Sequence, residues 1–129
     1  MTTFRIVSAT ATDVVALGEG RDQVRNLLGE FRTFRRTAAS EEADHFTDIG
    51  AMATYSAEGA LVLLELTDPA RVELEGVQLL GEELDSLETS LGDKGLELVR
   101  DEAGATIPRV QVGLYAPGGT VEGVGLGSD

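Results

Sequence analysis

The chain contains an internal repeat, and no other feature of the sequence restricts its fold as strongly. Leu-Gly-Glu at 17–19 returns at 80–82, an offset of 63 residues, and the segment 55–66 returns at 115–126, an offset of 60. The order of the segments is the same in both copies. A unit of this length that occurs twice indicates one supersecondary structure used twice, because a solenoid needs three or more copies.

Each copy begins with an apolar pattern of helical spacing. The first helix is predicted over residues 20–29, where apolar residues recur at i, i+3 and i+4, and its counterpart ends near Leu91. Gly29 and Gly92 are expected to end the two helices. Because a helix of about ten residues does not persist alone in water, both must pack against other elements.

The rest of each copy predicts strands. Val112 and Leu114 alternate with Gly113 and Tyr115, and this period of two indicates a sheet with one buried and one exposed face. Tyr115 falls on the exposed side, and by the repeat so does Tyr55. The predicted class is therefore α+β: two strand-helix-strand-strand-strand units whose short helices pack on one face of an antiparallel sheet.

The two units share one predicted domain. Residues 1–129 form a single domain of two pseudo-repeats, about 4–68 and 71–127, because a chain of this length builds one ordinary core.

The net charge is −13, from 10 basic and 23 acidic residues, and it is unevenly placed. Residues 1–40 hold six arginines and four acids, whereas residues 41–129 hold four bases and nineteen acids. Such a field repels phosphate backbones, so nucleic-acid binding is not expected. It suits a basic protein partner, and it also suits a merely well-solvated acidic surface.

Other features of the composition exclude several classes of protein. No apolar run approaches the ~20 residues that span a bilayer, and the first residues do not resemble a signal peptide. Cysteine is absent, which excludes disulfides, thiolate metal sites and a cysteine nucleophile. We therefore expect a cytoplasmic protein with no membrane contact and no cofactor, and the alternative is a secreted protein whose leader has been removed.

The helical pattern is similar to that of a known family. Leu17-Gly18, Val24 and Leu28-Gly29, followed by a strand hairpin, resemble the small outer-membrane assembly lipoprotein module called BamE-like, or SmpA/OmlA-type. Two such modules in tandem resemble the β-lactamase inhibitor protein architecture. Because those families bind proteins, the resemblance implies two short helices on a sheet whose open face contacts a partner. The lipoprotein and disulfide cysteines of those families are absent here, and the inhibitors' contact residues find no match.

The single histidine, His45, is the main candidate for chemistry. A catalytic triad would use it as the base with Ser40 or Ser56 as nucleophile, but no G-x-S-x-G sequence occurs. Asp44, His45 and Asp48 could also supply three metal ligands, although their spacing matches no strong zinc pattern. We predict neither a catalytic nor a metal site.

Two further segments have an unusual composition. Residues 31–36 interleave phenylalanine and arginine, which suits a protein interface, a single-stranded nucleic acid, or pairing with the acidic second half. Residues 123–127 alternate glycine with apolar residues but lack the lysine and the following helix of a phosphate loop.

The sequence thus favours a non-catalytic protein-binding module, such as an inhibitor or immunity-type protein, that acts on a basic partner. The residues expected to bind are Tyr55, Tyr115, Glu65, Arg32, Phe34 and Arg36. The alternative is a small-ligand binder or enzyme that uses a cleft near His45, and the sequence leaves the oligomeric state open.

Overall fold

The computed structural model describes residues 2–35, 37 and 42–128. Strands make up 43% of it and helices 14%, so the fold is mostly β and the predicted α+β class is wrong. The helices have only eight and nine residues. The first strands of the two halves, expected to join the main sheet, instead pair with each other in a second sheet.

Both halves of the chain present their elements in the same order: two strands, one helix and four strands. The first half contains β1 (Thr3–Ser8), β2 (Ala11–Thr12), α1 (Arg21–Leu28), β3 (Arg32–Phe34), β4 (Ala43–Phe46), β5 (Ala51–Tyr55) and β6 (Leu61–Thr67). The second half contains β7 (Arg71–Leu74), β8 (Val77–Gln78), α2 (Leu84–Gly92), β9 (Val99–Arg100), β10 (Gly104–Ile107), β11 (Val112–Tyr115) and β12 (Gly123–Gly127).

The strands form a large and a small sheet. The large sheet is antiparallel and has the order β3-β4-β5-β6-β12-β11-β10-β9, so each half supplies four neighbouring strands. The halves meet where β6 pairs with β12, with Leu66 opposite Val124. The small sheet has the order β2-β1-β7-β8, and its two central strands are parallel.

The helix of each half is attached to the hairpin of the same half by matching backbone hydrogen bonds. The Gly18 N–H donates to the Leu61 carbonyl at 2.8 Å, and the Gly81 N–H donates to the Val121 carbonyl at 2.9 Å. The two donors are 63 residues apart and the two acceptors 60 apart, which are the offsets of the sequence repeat. The repeated residues therefore hold the same junction twice.

The large sheet has an inner and an outer face. On the inner face, side chains such as Phe46, Leu64, Leu114 and Val124 join one continuous hydrophobic cluster with both helices and the small sheet. The outer face carries the alternate residues of the same strands. Several residues of the outer face, such as Val99 and Tyr115, are exposed.

The helices differ in detail from the prediction. Val24 and Leu28 of α1 are buried, but Leu27 is 42% exposed, so the apolar face of α1 is narrower than expected. Gly29 ends α1 with a φ of 93°. In contrast, α2 continues through Gly92, and the chain turns at Gly95 with a φ of 77°. Within the described part of the chain, no helix has the length and apolar character needed to cross a membrane.

Candidate functional site

The outer face of the large sheet carries one row of side chains that crosses all eight strands. Strand pairing places the following residues side by side in this central row: Arg32, His45, Met52, Glu65, Gly125, Gly113, Thr106 and Val99. One end of the row is basic and aromatic. Its middle holds two adjacent glycines.

A groove of about 320 Å³ lies over these glycines. We call it the glycine groove, and its lining includes Glu65, Asp101, Thr106, Gly113, Tyr115, Gly123 and Gly125. Its floor is backbone, because the glycines of β11 and β12 place no side chain above the sheet. The strands on either side, β6 and β10, carry the side chains that form its walls.

Gly113 and Gly125 pair directly across β11 and β12, and nothing in the fold requires them to be glycine. Neither has a positive φ, and a Cβ added to either would meet no atom within 4 Å. By contrast, a Cβ on Gly104 or Gly127 would collide with a backbone carbonyl. Glycine inside a strand costs roughly 0.5–1 kcal/mol relative to alanine, and it often marks close approach of another backbone or a ligand.

The charged groups of the glycine groove are acidic, and hydrogen bonds hold one of them, Asp101, in place. The Asp101 carboxylate accepts hydrogen bonds from the backbone N–H groups of Ala103 and Gly104, both at 2.9 Å, and from Thr106 Oγ1 at 3.1 Å. Glu65 lies on the opposite wall. Among the described lining residues, two are acidic and none is basic, so the groove favours cationic groups.

Four of the six residues expected to bind lie on the outer face. Glu65 and Arg32 belong to the central row, and Phe34 and Tyr115 lie two residues along β3 and β11 from that row. Tyr115 is 55% exposed beside the glycine groove. Arg36 lies outside the described residues. The binding role of all these residues stays a prediction.

Tyr55 is the exception, and its predicted exposure is wrong. Its side chain is 1% exposed on the inner face, because it follows the inner residues Ala51 and Ala53 at a spacing of two. Strands β6 and β12 correspond at an offset of 60 residues, whereas β5 and β11 correspond at 61. The strand position equivalent to Tyr55 is therefore the buried Ala116 and not Tyr115.

Tyr55 instead joins a polar cluster around Asp44, whose side chain is fully buried. The Tyr55 hydroxyl donates to Asp44 Oδ2 at 2.9 Å, and Thr33 Oγ1 donates to Oδ1 at 2.8 Å. Arg25 donates to both oxygens, from Nε at 2.7 Å and from Nη2 at 3.1 Å. The guanidinium of Arg21 lies 5.0 Å from the centre of the Tyr55 ring. The cluster attaches α1 to β4 and β5.

The pKa values in this cluster follow from burial and from these bonds. Burial alone raises the pKa of Asp44, but the hydrogen bonds from Arg25, Thr33 and Tyr55 and the Arg25 charge outweigh it, so the pKa lies below its ordinary value. Burial, followed by the hydrogen bond to Asp44, raises the pKa of Tyr55. Asp44 is thus a carboxylate and Tyr55 a neutral donor at neutral pH, as a structural cluster requires.

The structure does not bring the candidate chemical groups around His45 together. Asp44 points to the inner face and His45 to the outer face, where the His45 ring lies edge-on to Phe34 with centroids 6.5 Å apart. Ser56 Oγ accepts a bond from the Ala60 N–H at 3.2 Å, and Ser40 lies outside the described residues. In the part of the chain that is described, no three His, Cys, Asp or Glu side chains form a metal-binding group.

Sequence reasoning missed the floor of the groove. In residues 123–127, glycine alternates with the core residues Val124 and Leu126 and therefore occupies every outer position of the strand. Gly113 lies between Val112 and Leu114 in the same way. This alternation could have predicted the groove, because it indicates an outer strand face without side chains. The repeat instead predicted that the two tyrosines bind the partner.

No protein-family model, curated protein or solved structure matches this chain. The resemblance to tandem BamE-like modules therefore stays a hypothesis. The function has to be inferred from the geometry of the outer face.

Proposed function

We propose that this protein is a non-catalytic binding module that holds a basic protein partner against the outer face of its large sheet. The partner would lie over the glycine groove, with Tyr115 at one end and the carboxylates of Glu65 and Asp101 on the two walls. Arg32 and Phe34, at the far end of the outer face, would form the edge of the same interface.

The pair Gly113 and Gly125 carries this proposal. Both positions have ordinary extended backbone and open space above them, so a larger residue would suit the isolated fold better. A partner that approaches the strand backbone explains why side chains are absent there. The glycine groove is also partly open to solvent, which suits a protein surface better than an enclosed reaction site.

The charge and the exposed ring indicate the kind of partner. Acidic groups line the groove in a chain of net charge −13, so a partner that presents arginine or lysine is electrostatically complementary. An exposed tyrosine supplies apolar area and a hydroxyl at low entropic cost, which interfaces favour. Arginine side chains stack well on such a ring.

The glycines provide a test in which stability and binding should change in opposite directions. In a Gly113→Thr, Gly125→Thr double variant, we expect the free energy of unfolding to stay equal or rise, because threonine favours strands and meets open space. Affinity for the partner should fall by about tenfold or more, because the new side chains fill the floor of the groove. Urea unfolding measures the first effect.

The partner would be identified by comparing proteins retained by the natural chain and by the double variant, and then purified for calorimetric titration. Gly92→Thr is the matched control, since Gly92 also has open space and ordinary φ but lies at the end of α2. Equal affinity of the double variant and the natural chain for every purified candidate would overturn the proposal. Loss of stability in the double variant would show that the glycines serve the fold.

A further inference from the structure

A second pocket, of about 400 Å³, lies where the end of the small sheet meets the chain after α2 and the turn between β10 and β11. We call it the basic pocket. Its lining includes Ile6, Leu74, Glu75, Lys94, Leu96 and Arg109. It involves neither the outer face of the large sheet nor the Asp44 cluster, so it is independent of the proposed function.

Lys94 and Arg109 give this pocket two basic side chains in a strongly acidic chain. Among the described residues, neither side chain forms an ion pair or a hydrogen bond. Arg5, Arg25, Arg35 and Arg100 all reach carboxylates, as expected when acids outnumber bases by 23 to 10. Two cations without such partners thus line one pocket, which suits an anion from outside the chain.

Six of the ten residues that line the pocket are apolar, and Ser8 and Glu75 are polar residues beside the two cations. Ile6, Leu74 and Leu96 are buried residues of the hydrophobic core that also line the pocket, and Val110 packs against that core. The volume lies within the range of about 300–1,000 Å³ that is typical of small-molecule sites. Apolar walls with a few convergent polar groups are the usual chemistry of such sites.

We propose that the basic pocket binds a small organic carboxylate with an apolar body. The carboxylate would lie between Lys94 and Arg109, whose guanidinium can hold both oxygens, and the apolar body would lie on Ile6, Leu74 and Leu96. Glu75, which also lines the pocket, opposes an anion and so limits the affinity. A nucleic acid is the wrong occupant, because the surrounding charge repels a polyanion.

Octanoate is a suitable probe, titrated against the full chain while backbone amide signals are followed by NMR. We expect saturable shifts at residues 6–9, 74–75, 94–96 and 109–110. Acetate, which lacks the apolar body, should bind at least about tenfold more weakly than octanoate. Octylammonium, which has the opposite charge, should not produce the same shifts.

Three variants test the charges without disturbing the core, since the side chains of Lys94, Arg109 and Glu75 are exposed. Lys94→Gln with Arg109→Gln should weaken octanoate binding by about tenfold or more, whereas Glu75→Gln should strengthen it. Arg71→Gln, another exposed base without an ion pair among the described residues, should leave it unchanged. The proposal is overturned if octanoate gives no saturable shifts, if the double variant binds equally well, or if octylammonium binds in the same place.

Discussion

Asp44 shows how one residue can determine the local structure of this fold. Its side chain is fully buried, and a carboxylate in such a place is tolerated only when hydrogen bonds and an opposite charge compensate its lost hydration. Arg25, Thr33 and Tyr55 provide that compensation from three different elements. The cluster therefore fixes where α1 lies on the sheet.

The lowered pKa of Asp44 predicts a contribution to acid sensitivity. Because the pKa is lower in the folded state, the stabilisation is complete above the unfolded-state pKa of about 3.9 and is lost as the pH falls toward the folded-state pKa. Asp44→Asn should lower the free energy of unfolding by about 3–5 kcal/mol at pH 7, because Arg25 loses its buried partner. It should also make stability less dependent on pH below about 4.

Urea unfolding between pH 2.5 and 7 measures both effects. Asp85→Asn is the control, because the Asp85 side chain is 88% exposed where it meets Arg100, and such a surface pair contributes at most about 1 kcal/mol. An acid dependence as steep in Asp44→Asn as in the natural chain would contradict the role given to Asp44.

The two tyrosines provide a second prediction at the scale of single residues. Tyr55→Phe should lower the free energy of unfolding by about 1–3 kcal/mol, because it removes a hydrogen bond to a buried carboxylate. Tyr115→Phe should change it by less than about 0.5 kcal/mol, because the Tyr115 ring is exposed. Thermal and urea unfolding of both variants decide the matter, and equal effects would contradict the inner position of Tyr55.

At the scale of elements, the helices depend on the hairpins. Neither Gly20 nor Glu83, the residues that precede α1 and α2, provides a side-chain cap. Instead, the first N–H of each helix donates to a hairpin glycine, Arg21 to the Gly59 carbonyl and Leu84 to the Gly119 carbonyl, both at 2.9 Å. The hairpin turns therefore take the place of the missing caps, which accounts for the paired offsets of the repeat.

The buried leucines in the last turns of the two helices, Leu28 and Leu91, should be equally important. Leu28→Ala and Leu91→Ala should each lower the free energy of unfolding by about 2–5 kcal/mol, because both residues lie in the hydrophobic core. Leu27→Ala is the matched control, since Leu27 is 42% exposed and should cost about 0.5 kcal/mol or less. A large loss in Leu27→Ala, or none in Leu91→Ala, would contradict the packing described.

Local patterns predicted these elements better than their pairing. Helical spacing and terminal glycines located α1 within one residue at each end, and alternation placed Val112 and Leu114 in the core. The second sheet was missed because β1 pairs in parallel with β7 from the other half, and such a long-range contact leaves no local signal. Tyr55 was misplaced because a one-residue change of offset reverses the face of a strand residue.

At the scale of the whole molecule, the charges of the two halves are mostly not balanced against each other. Arginines in the first forty residues pair with nearby acids: Arg5 with Asp13, Arg25 with Asp44 and Arg35 with Glu42. Among the described residues, the contact from Arg5 to Glu73 at 3.7 Å joins the two structural halves. Residues 41–129 hold nineteen acids against four bases, so acids of this segment repel one another in the folded state.

This repulsion predicts that salt stabilises the protein. Raising NaCl from about 10 mM to 0.5 M shortens the Debye length from about 30 Å to below 8 Å, which screens repulsion across the molecule. The few exposed ion pairs lose less, since each contributes at most about 1 kcal/mol. The midpoint of thermal unfolding should therefore rise with NaCl.

The midpoint should rise less in a Glu30→Gln, Glu58→Gln, Glu97→Gln variant, whose exposed substitutions remove three negative charges. A midpoint that falls with NaCl, or that responds identically in this variant, would show that the net charge does not govern stability.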